Sequence, residues 1–375
     1  MEFWMNDERE LVRESIREFV ATEVEPLARK IDEEDYFPAE LFPKLGELGF
    51  LDLYVPEEYG GSNLDLISHA IICEEISKVS PTLGMCLIAH SALAMTMINK
   101  MPDGEEKSKW LPELVSGKAI GCVATTEPCG NGNPGGFATF VTEDGDDYVI
   151  NGQKSMATNI GVSKYYMVEA ADPAGEHTFY VVEAGTPGFT VGKAENKVGW
   201  RGSHTGTLYF ENVRIPKSHK LPNTFLDASY FEMVGSGAVA LGIAETAWDK
   251  AWTYAMNRKT AEGVPFPVQY QVMANRFMEA LGKIDCIRYL TYAEALGFVS
   301  GAPDPVHSTL VKPNAFKLAE EVASVCIDMC GGVGLSIDTG VERMWREAKC
   351  GMIGGGQYDL LLDIAFKTLL MLSGQ

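Results

Sequence analysis

The sequence predicts an α+β fold in which a helical section, a β-rich section and a second helical section follow one another along 375 residues. Apolar residues recur at helical spacing up to about residue 118, and short runs of strand-forming residues separated by turns then replace them. Helical spacing returns from about Phe225. These observations divide the chain into three predicted domains: residues 1–118, 119–224 and 225–375.

The first helix is predicted to begin at Asp7. Asp7 followed by Glu10 has the pattern of a capping box, and Ile16, Phe19 and Val20 fall on one face of the helix that would follow. Further helical segments, "YFPAELFPKLGELGF" and "LDLISHAIICEEISKV", lie on either side of the turn-rich stretch "VPEEYGGSN". The first third of the chain is therefore expected to be α-helical.

The middle section reads as a series of short strands. Its segment "YVINGQKSMAT" contains Asn151 and Gly152, a dipeptide typical of two-residue hairpin turns, so we expect a hairpin there. Further strands are predicted in "YYMVEAA", "HTFYVVEA", "FTVGK" and "GTLYFENVRIP". The last section contains three long segments with helical periodicity, which predicts a helical bundle.

Composition limits the possible partners. With 52 acidic and 31 basic residues the formal charge is −21, a field that repels nucleic acid and anionic membrane surfaces. No run of 18 apolar residues and no basic, apolar leader is present, so we expect a cytoplasmic protein without a membrane span. The eight cysteines form no CxxC pair, and Cys326 and Cys330 lack the further ligands of a metal site, so we expect reduced thiols and no metal.

Six motifs, in order and at family spacing, resemble those of the acyl-CoA dehydrogenases, flavin enzymes that oxidise acyl-CoA thioesters between Cα and Cβ. They are "VPEEYGG" (55–61), "ATTEP" (124–128), "INGQKSMATN" (150–159), "GWRGSHTGTLYFENVRIP" (199–216), "RK" (258–259) and "CGGVG" (330–334). The resemblance implies an N-terminal helical domain, a central β-barrel-like domain and a C-terminal four-helix bundle. It also implies bound FAD and a homotetramer.

The resemblance assigns several residues to FAD. Hydroxyl groups of Thr125, Thr126 and Thr158 are expected at the polar edge of the flavin ring, and Met156 stands where the family has an aromatic residue. Arg258 resembles the arginine that reaches the flavin pyrophosphate of a neighbouring subunit. The glycine-rich stretch "CGNGNPGG" departs from the family pattern, but its N–H groups are still expected to face an anion. The remaining predicted FAD contacts are Gln271, Gly331, Gly332, Gly334 and Gln357.

The catalytic glutamate found in many family members falls at Gly355, within "IGGGQYD". A subset of the family, resembling the isovaleryl- and long-chain types, carries this glutamate on the first bundle helix, and that position here is Glu232. A single glutamate in the first turn of a helix is often only a partner of the helix dipole. Because Glu232 lies among Tyr230, Phe231 and Met233, and the other site is vacant, we predict that Glu232 is the base.

Further expectations concern the reaction, its electron acceptor and the cavity. Glu232 removes the α-proton while a hydride passes to the flavin, the backbone at Gly355 holds the thioester carbonyl, and Tyr230 contributes to the substrate site. An electron-transferring flavoprotein then accepts the electrons. Without side chains at 354–356, and with Met156 in place of a ring, the cavity is expected to be wide enough for branched, aromatic or cyclic acyl groups unless Tyr358 or Phe231 refills it.

Alternative functions remain open from the sequence. The same machinery running in reverse would be an enoyl-CoA reductase, a close alternative. The absence of the usual base also allows a non-redox acyl-CoA lyase, and the altered flavin loops allow a non-catalytic flavin-binding paralogue.

Overall fold

The computed structural model describes residues 2–130 and 138–374, in which helices, strands and again helices follow in the predicted order. The N-terminal helices are α1 (Asp7–Phe19), α2 (Ala28–Glu33), α3 (Leu41–Glu47), α4 (Leu66–Ser77), α5 (Pro81–Ile88), α6 (Thr96–Asn99) and α7 (Glu105–Val115). The domain boundaries at residues 118 and 224 stay predictions.

The N-terminal cap of α1 lies one residue before the predicted one. The side chain of Asn6, not that of Asp7, accepts a hydrogen bond from the backbone N–H of Arg9. The predicted capping box from Asp7 to Glu10 is therefore wrong, although the helix itself begins at Asp7. Asp7 instead places its negative charge in the first turn, where it faces the positive end of the helix dipole.

One stretch of the N-terminal part, Pro81–Asn99, is long and apolar enough to cross a membrane by length and composition. It comprises α5, a π-helical segment (Ala89–Met95) and α6, and 94% of its most apolar window is buried inside the fold. Such burial is what a central core helix shows, and this stretch also forms one wall of the cavity described below.

The middle part is a seven-stranded curled sheet. Its strands are β1 (Gly121–Ala124), β2 (Phe140–Asp144), β3 (Asp147–Thr158), β4 (Tyr165–Ala171), β5 (His177–Glu183), β6 (Phe189–Ala194) and β7 (Thr205–Pro216). They are ordered β1-β4-β2-β3-β7-β6, and β5 pairs with the free side of β4. One face encloses its own apolar cluster, which includes Ile150, Leu208 and Phe210, while Met167 and Val181 on the other face pack against the helices.

The hairpin predicted at Asn151 and Gly152 is wrong, because β3 runs straight through both residues. The register between β3 and β7 shifts between Ile150 and Gly152, where β7 carries the extra residue, so the bulge lies in β7 at Glu211 and Asn212 and faces the stretch that ends at Gly152, whose φ is +143°. A Cβ atom on Gly152 would lie 2.6 Å from Oγ1 of Thr139, so close approach also demands glycine here. The tight turn lies earlier, at residues 145–146 between β2 and β3, where Asp144 pairs with Asp147.

The C-terminal part contains α8 (Phe225–Asn257), α9 (Phe266–Gln269), α10 (Gln271–Val299), α11 (Pro305–Cys330), α12 (Val341–Gly351) and α13 (Tyr358–Leu372). The 33-residue helix α8 packs against α10 and α11 of the bundle and against α4 of the N-terminal part. At its first residue, the ring of Phe225 stacks on Phe179 of β5 with ring centroids 4.8 Å apart. The start of α8 is therefore attached to the sheet while its body lies in the helical core.

Candidate active site

A cavity of about 440 Å³ lies where the three parts of the chain meet. Its walls are mostly apolar and come from the α5 region, the ends of β1 and β3, the first turns of α8, and the segment that leads into α13. Seven of the predicted site residues line it: Thr125, Thr126, Met156, Thr158, Tyr230, Glu232 and Gly355. The fold thus brings together the residues that the sequence analysis predicted to bind the flavin ring and the substrate and to act as the base.

The other predicted FAD residues lie away from this cavity. Arg258 follows α8 on the outside of the bundle, and its guanidinium lies 4.3 Å from the centre of the Phe266 ring. Gln271 is exposed at the start of α10, and the side chain of Gln357 caps α13 by accepting a hydrogen bond from the N–H of Leu360. At the end of α11, Gly331 and Gly332 are exposed and Gly334 is buried. None of the three lines the cavity.

The wall that would face a flavin ring combines an apolar side chain with free hydroxyl groups. Met156 is 53% exposed and has φ of +55°, because the pairing of β3 with β7 is irregular between Lys154 and Ala157. Within residues 2–130 and 138–374, nothing hydrogen-bonds to the hydroxyl groups of Thr125, Thr126 or Thr158. Unpaired hydroxyls beside an apolar surface match the polar edge and flat faces of an isoalloxazine, so these residues fit FAD.

Glu127, next to this wall, has a structural role. Its carboxylate is fully buried 2.8 Å from Nζ of Lys154, and it accepts hydrogen bonds from the backbone N–H groups of Ala138 and Thr139. Burial alone would raise its pKa, but the hydrogen bonds from Lys154 and Thr139 outweigh burial and hold the pKa of Glu127 at about 2. Lys154 also donates to the carbonyl of Thr125, so this ion pair fixes the backbone of the flavin-side wall.

The anion-binding role predicted for "CGNGNPGG" (129–136) falls mostly on residues 131–136, which lie outside the described part of the chain. The structure describes the first two residues of this stretch, Cys129 and Gly130, which follow Glu127 and Pro128 in the loop after β1.

Glu232 lies two helical turns into α8 and is 7% exposed. No group in the described ranges donates a hydrogen bond to its carboxylate. Burial raises the pKa of Glu232 to about 7, and the positive charge of Lys312 opposes part of that rise. The neighbouring Met233 is buried and brings no charge.

The oxygen Oε1 of Glu232 lies 2.5 Å from the point where a Cβ atom on Gly355 would stand. The carboxylate of Glu232 therefore fills the side-chain space of Gly355, the position to which the resemblance assigns the catalytic glutamate of many family members. Gly355 has φ of +69°, a conformation that favours glycine. This single contact joins the two candidate positions for the base.

Other side chains occupy the space that side chains at residues 354–356 would take, whereas the predicted width of the cavity for bulky acyl groups stays a prediction. A Cβ atom on Gly354 would collide with Cζ3 of Trp200, and one on Gly356 would lie 2.9 Å from Cδ2 of Leu361. Trp200, Glu232 and Leu361 therefore occupy the space that side chains at residues 354, 355 and 356 would take. Neither Tyr358 nor Phe231 is the residue that fills this space, since the Phe231 ring packs against Tyr54 and Phe298.

Lys312 on α11 is a site residue that the sequence analysis missed. It is 1% exposed, and its Nζ donates to the carbonyl oxygens of Gly351 at 3.0 Å and Gly356 at 2.7 Å. Burial lowers the pKa of Lys312 to about 8, although Glu232 acts in the opposite direction. The sequence did offer one signal for it. Lys312 and Phe316 are four residues apart and share a face of the helix, and a lysine on an apolar helix face is unusual because lysines are rarely buried.

Glu169 on β4 is a second missed carboxylate in the cavity wall. Burial raises its pKa to about 7, with Lys154 acting to lower it. Its carboxylate lies 3.8 Å from Nδ1 of His177. Any measurement on Glu232 near neutral pH therefore needs Glu169 as a control.

Comparison with known proteins agrees with this arrangement. Three family models match: "Acyl-CoA dehydrogenase, N-terminal domain" over residues 6–118, "Acyl-CoA dehydrogenase, middle domain" over 122–213 and "Acyl-CoA dehydrogenase, C-terminal domain" over 227–370.

Individual relatives match over nearly the whole chain. The short-chain specific acyl-CoA dehydrogenase of Clostridium acetobutylicum is 36% identical over 362 residues, covering 93% of this chain and 94% of that protein. The 3-(aryl)acrylate reductase of Clostridium sporogenes is 29% identical over 378 residues, covering 98% of this chain and all of that protein. The solved structure of butyryl-CoA dehydrogenase from Megasphaera elsdenii has a TM-score of 0.93 at 29% identity, covering 99% of this chain and 100% of that one. The chain belongs to the acyl-CoA dehydrogenase family, whose members are FAD-dependent oxidoreductases.

Proposed function

We propose that this protein oxidises an acyl-CoA thioester to the corresponding enoyl-CoA, with Glu232 as the base that removes the α-proton. The observation that carries the proposal is the position of the Glu232 carboxylate, buried in the cavity wall and filling the side-chain space of Gly355. FAD, when bound, supplies the acceptor for the two electrons and the β-hydrogen. The hydroxyl groups of Thr125, Thr126 and Thr158, which also line the cavity, would hold the polar edge of its ring.

The surroundings of Glu232 suit proton abstraction. An α-proton of a thioester is weakly acidic, so its removal needs a carboxylate that is poorly solvated and held near the substrate. Burial among apolar residues and the absence of a hydrogen-bond donor within the described residues make this carboxylate a stronger base than one in water. A pKa of about 7 leaves it partly ionised at neutral pH.

The segment before α13 supplies the second element of the chemistry. The backbone N–H groups of Gly355 and Gly356 donate to no residue in the part of the chain that the structure describes. Free N–H groups beside the base can bind the thioester carbonyl and stabilise the negative charge that develops on its oxygen when the α-proton leaves. Tyr230 and Met156 would then exclude water from the reacting carbons.

The reverse direction is the second candidate function. It is favoured by the similarity to the 3-(aryl)acrylate reductase of Clostridium sporogenes. In this direction Glu232 would return a proton to Cα while the reduced cofactor supplies the other hydrogen to Cβ. The residues and their geometry are the same, so only the electron donor or acceptor sets the direction.

We further propose two partners. Because the two electrons must leave the site after each oxidation, an electron-transferring flavoprotein is the expected acceptor. Self-association, as a tetramer, is supported by a row of exposed apolar side chains on α13: Phe366, Leu369, Met371 and Leu372.

The experiment that tests the proposed function is an anaerobic titration of the purified, FAD-containing protein with a panel of saturated acyl-CoA thioesters. Loss of the oxidised-flavin absorbance is expected with at least one of them, and Glu232→Gln should abolish that loss while retaining FAD. Glu169→Gln is the matched control, because it removes the other cavity carboxylate and should still be reduced.

Three outcomes would contradict the proposal. Folded, colourless protein that cannot be reconstituted with FAD would indicate a paralogue without redox activity. Conversion of an acyl-CoA without any change in flavin absorbance would indicate a lyase. Normal flavin reduction in Glu232→Gln would show that another group is the base.

A further inference from the structure

Lys312 holds a positive charge in the interior of the bundle, where lysine is unfavourable unless it is paired or hydrogen-bonded. Its side chain extends from α11 toward the segment between α12 and α13, and its ammonium group donates two hydrogen bonds there. The acceptors are backbone carbonyls, so the contacts depend on the path of the chain and not on neighbouring side chains. The position of this lysine therefore bears on the shape of that segment.

The two carbonyls enclose the part of the chain that faces Glu232. Gly351 is the last residue of α12, where carbonyl groups lack helical partners and a cation is favoured by the helix dipole. Gly356 directly precedes Gln357, the residue that caps α13. The ammonium group of Lys312 is thus hydrogen-bonded to the residues on both sides of 352–355.

Lys312 also touches the centre of this segment. Its Cε atom lies 3.2 Å from the point where a Cβ atom on Gly355 would stand, and Oε1 of Glu232 lies 2.5 Å from the same point. The stem of the lysine and the carboxylate of the glutamate therefore approach Gly355 together, from α11 and α8. Movement of Lys312 would displace both the free N–H groups and the contact with the base.

We propose that Lys312 is a positioning residue for this reaction: it fixes residues 351–356 so that the free N–H groups of Gly355 and Gly356 and the Glu232 carboxylate address the same substrate. The inference rests on the proposed function of the same site. Lys312 acts through the backbone and through Glu232.

The electrostatic surroundings support this role. Lys312 is the charged group that opposes the effect of burial on the pKa of Glu232. Burial lowers the pKa of His69 to about 4 and raises the pKa values of Tyr54 and Tyr230, so these three neighbours are neutral at pH 7. Asp227, in the first turn of α8, is exposed and paired with Lys100. Glu169 is the remaining carboxylate in the cavity wall. Without the ammonium, burial would act unopposed and the pKa of Glu232 would rise above 7.

Two variants test the inference in the FAD-containing protein. Lys312→Met keeps an unbranched stem but has neither charge nor N–H donors, and Lys312→Gln keeps N–H donors without the charge. In both, the pH at which the rate of flavin reduction reaches half its maximum should rise by about one unit or more, the effect expected from loss of a nearby charge. The maximal rate should fall at least tenfold in Lys312→Met and less in Lys312→Gln.

Lys317→Met is the matched control. It removes a positive charge from an exposed position of the same helix, so its rate and pH profile should equal those of the parent protein. Lys312→Arg, which retains charge and donors, should keep the parent pH profile. An unchanged pH profile in both Lys312→Met and Lys312→Gln would overturn the inference.

A second measurement separates this inference from the proposed function. The pKa of Glu232 can be followed by ¹³C NMR of side-chain-labelled glutamate, with its signal assigned by its absence in Glu232→Gln. The signal should titrate at higher pH in Lys312→Met or Lys312→Gln even if no acyl-CoA reduces the flavin. If the signal does not shift in a protein that does oxidise acyl-CoA, the proposed role of Lys312 is wrong while the proposed function stands.

Discussion

The carboxylate of Glu232 and the missing side chain of Gly355 occupy the same space, with Oε1 2.5 Å from the point where the Cβ atom would stand. One residue belongs to a long core helix and the other to the segment before α13. A base delivered from either backbone would thus reach the same part of the cavity. This relationship makes the choice of base testable by substitutions at both positions.

Gly355→Ala should displace Glu232 and slow flavin reduction by at least tenfold, because the new methyl group would overlap the carboxylate oxygen. The variant is measured by stopped-flow reduction with the preferred acyl-CoA. Gly301→Ala is the control, since Gly301 has a similar φ of +72° but open space around its Cβ position. A normal rate in Gly355→Ala would contradict the close approach.

Exchanging the two positions should restore part of the activity. Glu232→Gly alone is expected to lose about 10² to 10⁴-fold in rate, the contribution of a positioned general base. Adding Gly355→Glu should recover some of this loss, but not all, because φ of +69° at residue 355 strains any residue with a side chain. No recovery, with FAD still bound and the protein folded, would count against a shared site.

The rate of flavin reduction should rise as the pH is raised through about 7 and level off above it. The pKa of Glu232 is raised to about 7 by burial, and only the ionised carboxylate accepts a proton, so activity is lost as the pH falls below 7. The profile of Glu169→Gln should be the same. A rate that is constant or falls through this range would be inconsistent with Glu232 as the base.

Glu127→Ala should lower the free energy of unfolding by about 3–5 kcal/mol, because it leaves Lys154 buried without its carboxylate. Urea denaturation at pH 7 measures this, and Glu23→Ala, which breaks an exposed pair with Lys44, should change the free energy of unfolding by about 1 kcal/mol or less.

The same carboxylate makes stability depend on pH. The pKa of Glu127 is held at about 2, below its ordinary value of 4.5. Its contribution is therefore complete above pH 4.5 and is lost as the pH falls toward 2.

Arg258→Ala should weaken both FAD retention and oligomer stability if its guanidinium reaches the cofactor of a neighbouring subunit, as we propose. A ligand that binds only the assembled form stabilises that form, so both effects should appear together. Gel filtration with absorbance at the flavin wavelength measures them. Lys259→Ala, a change of the adjacent exposed cation, should leave both unchanged.

Local sequence patterns predicted the order of helices and strands, which depends on periodicity, and the family resemblance singled out Glu232 and Gly355 as the two candidate positions for the base. Their close contact is visible only in the fold. The hairpin at Gly152 was mispredicted because a glycine required for close approach to Thr139, opposite a bulge in β7, resembles a glycine required for a turn. The filling of the glycine segment by Trp200 depends on packing between distant parts of the chain, which no local pattern records.

The stack of Phe225 on Phe179 has a further consequence, because it lies seven residues before Glu232, about two turns along the same helix. Phe225 also lines the cavity, so the ring that attaches α8 to the sheet is part of the wall that carries Glu232. Loss of the Phe179 ring would release the start of α8 and change the shape of the cavity without altering any residue that lines it.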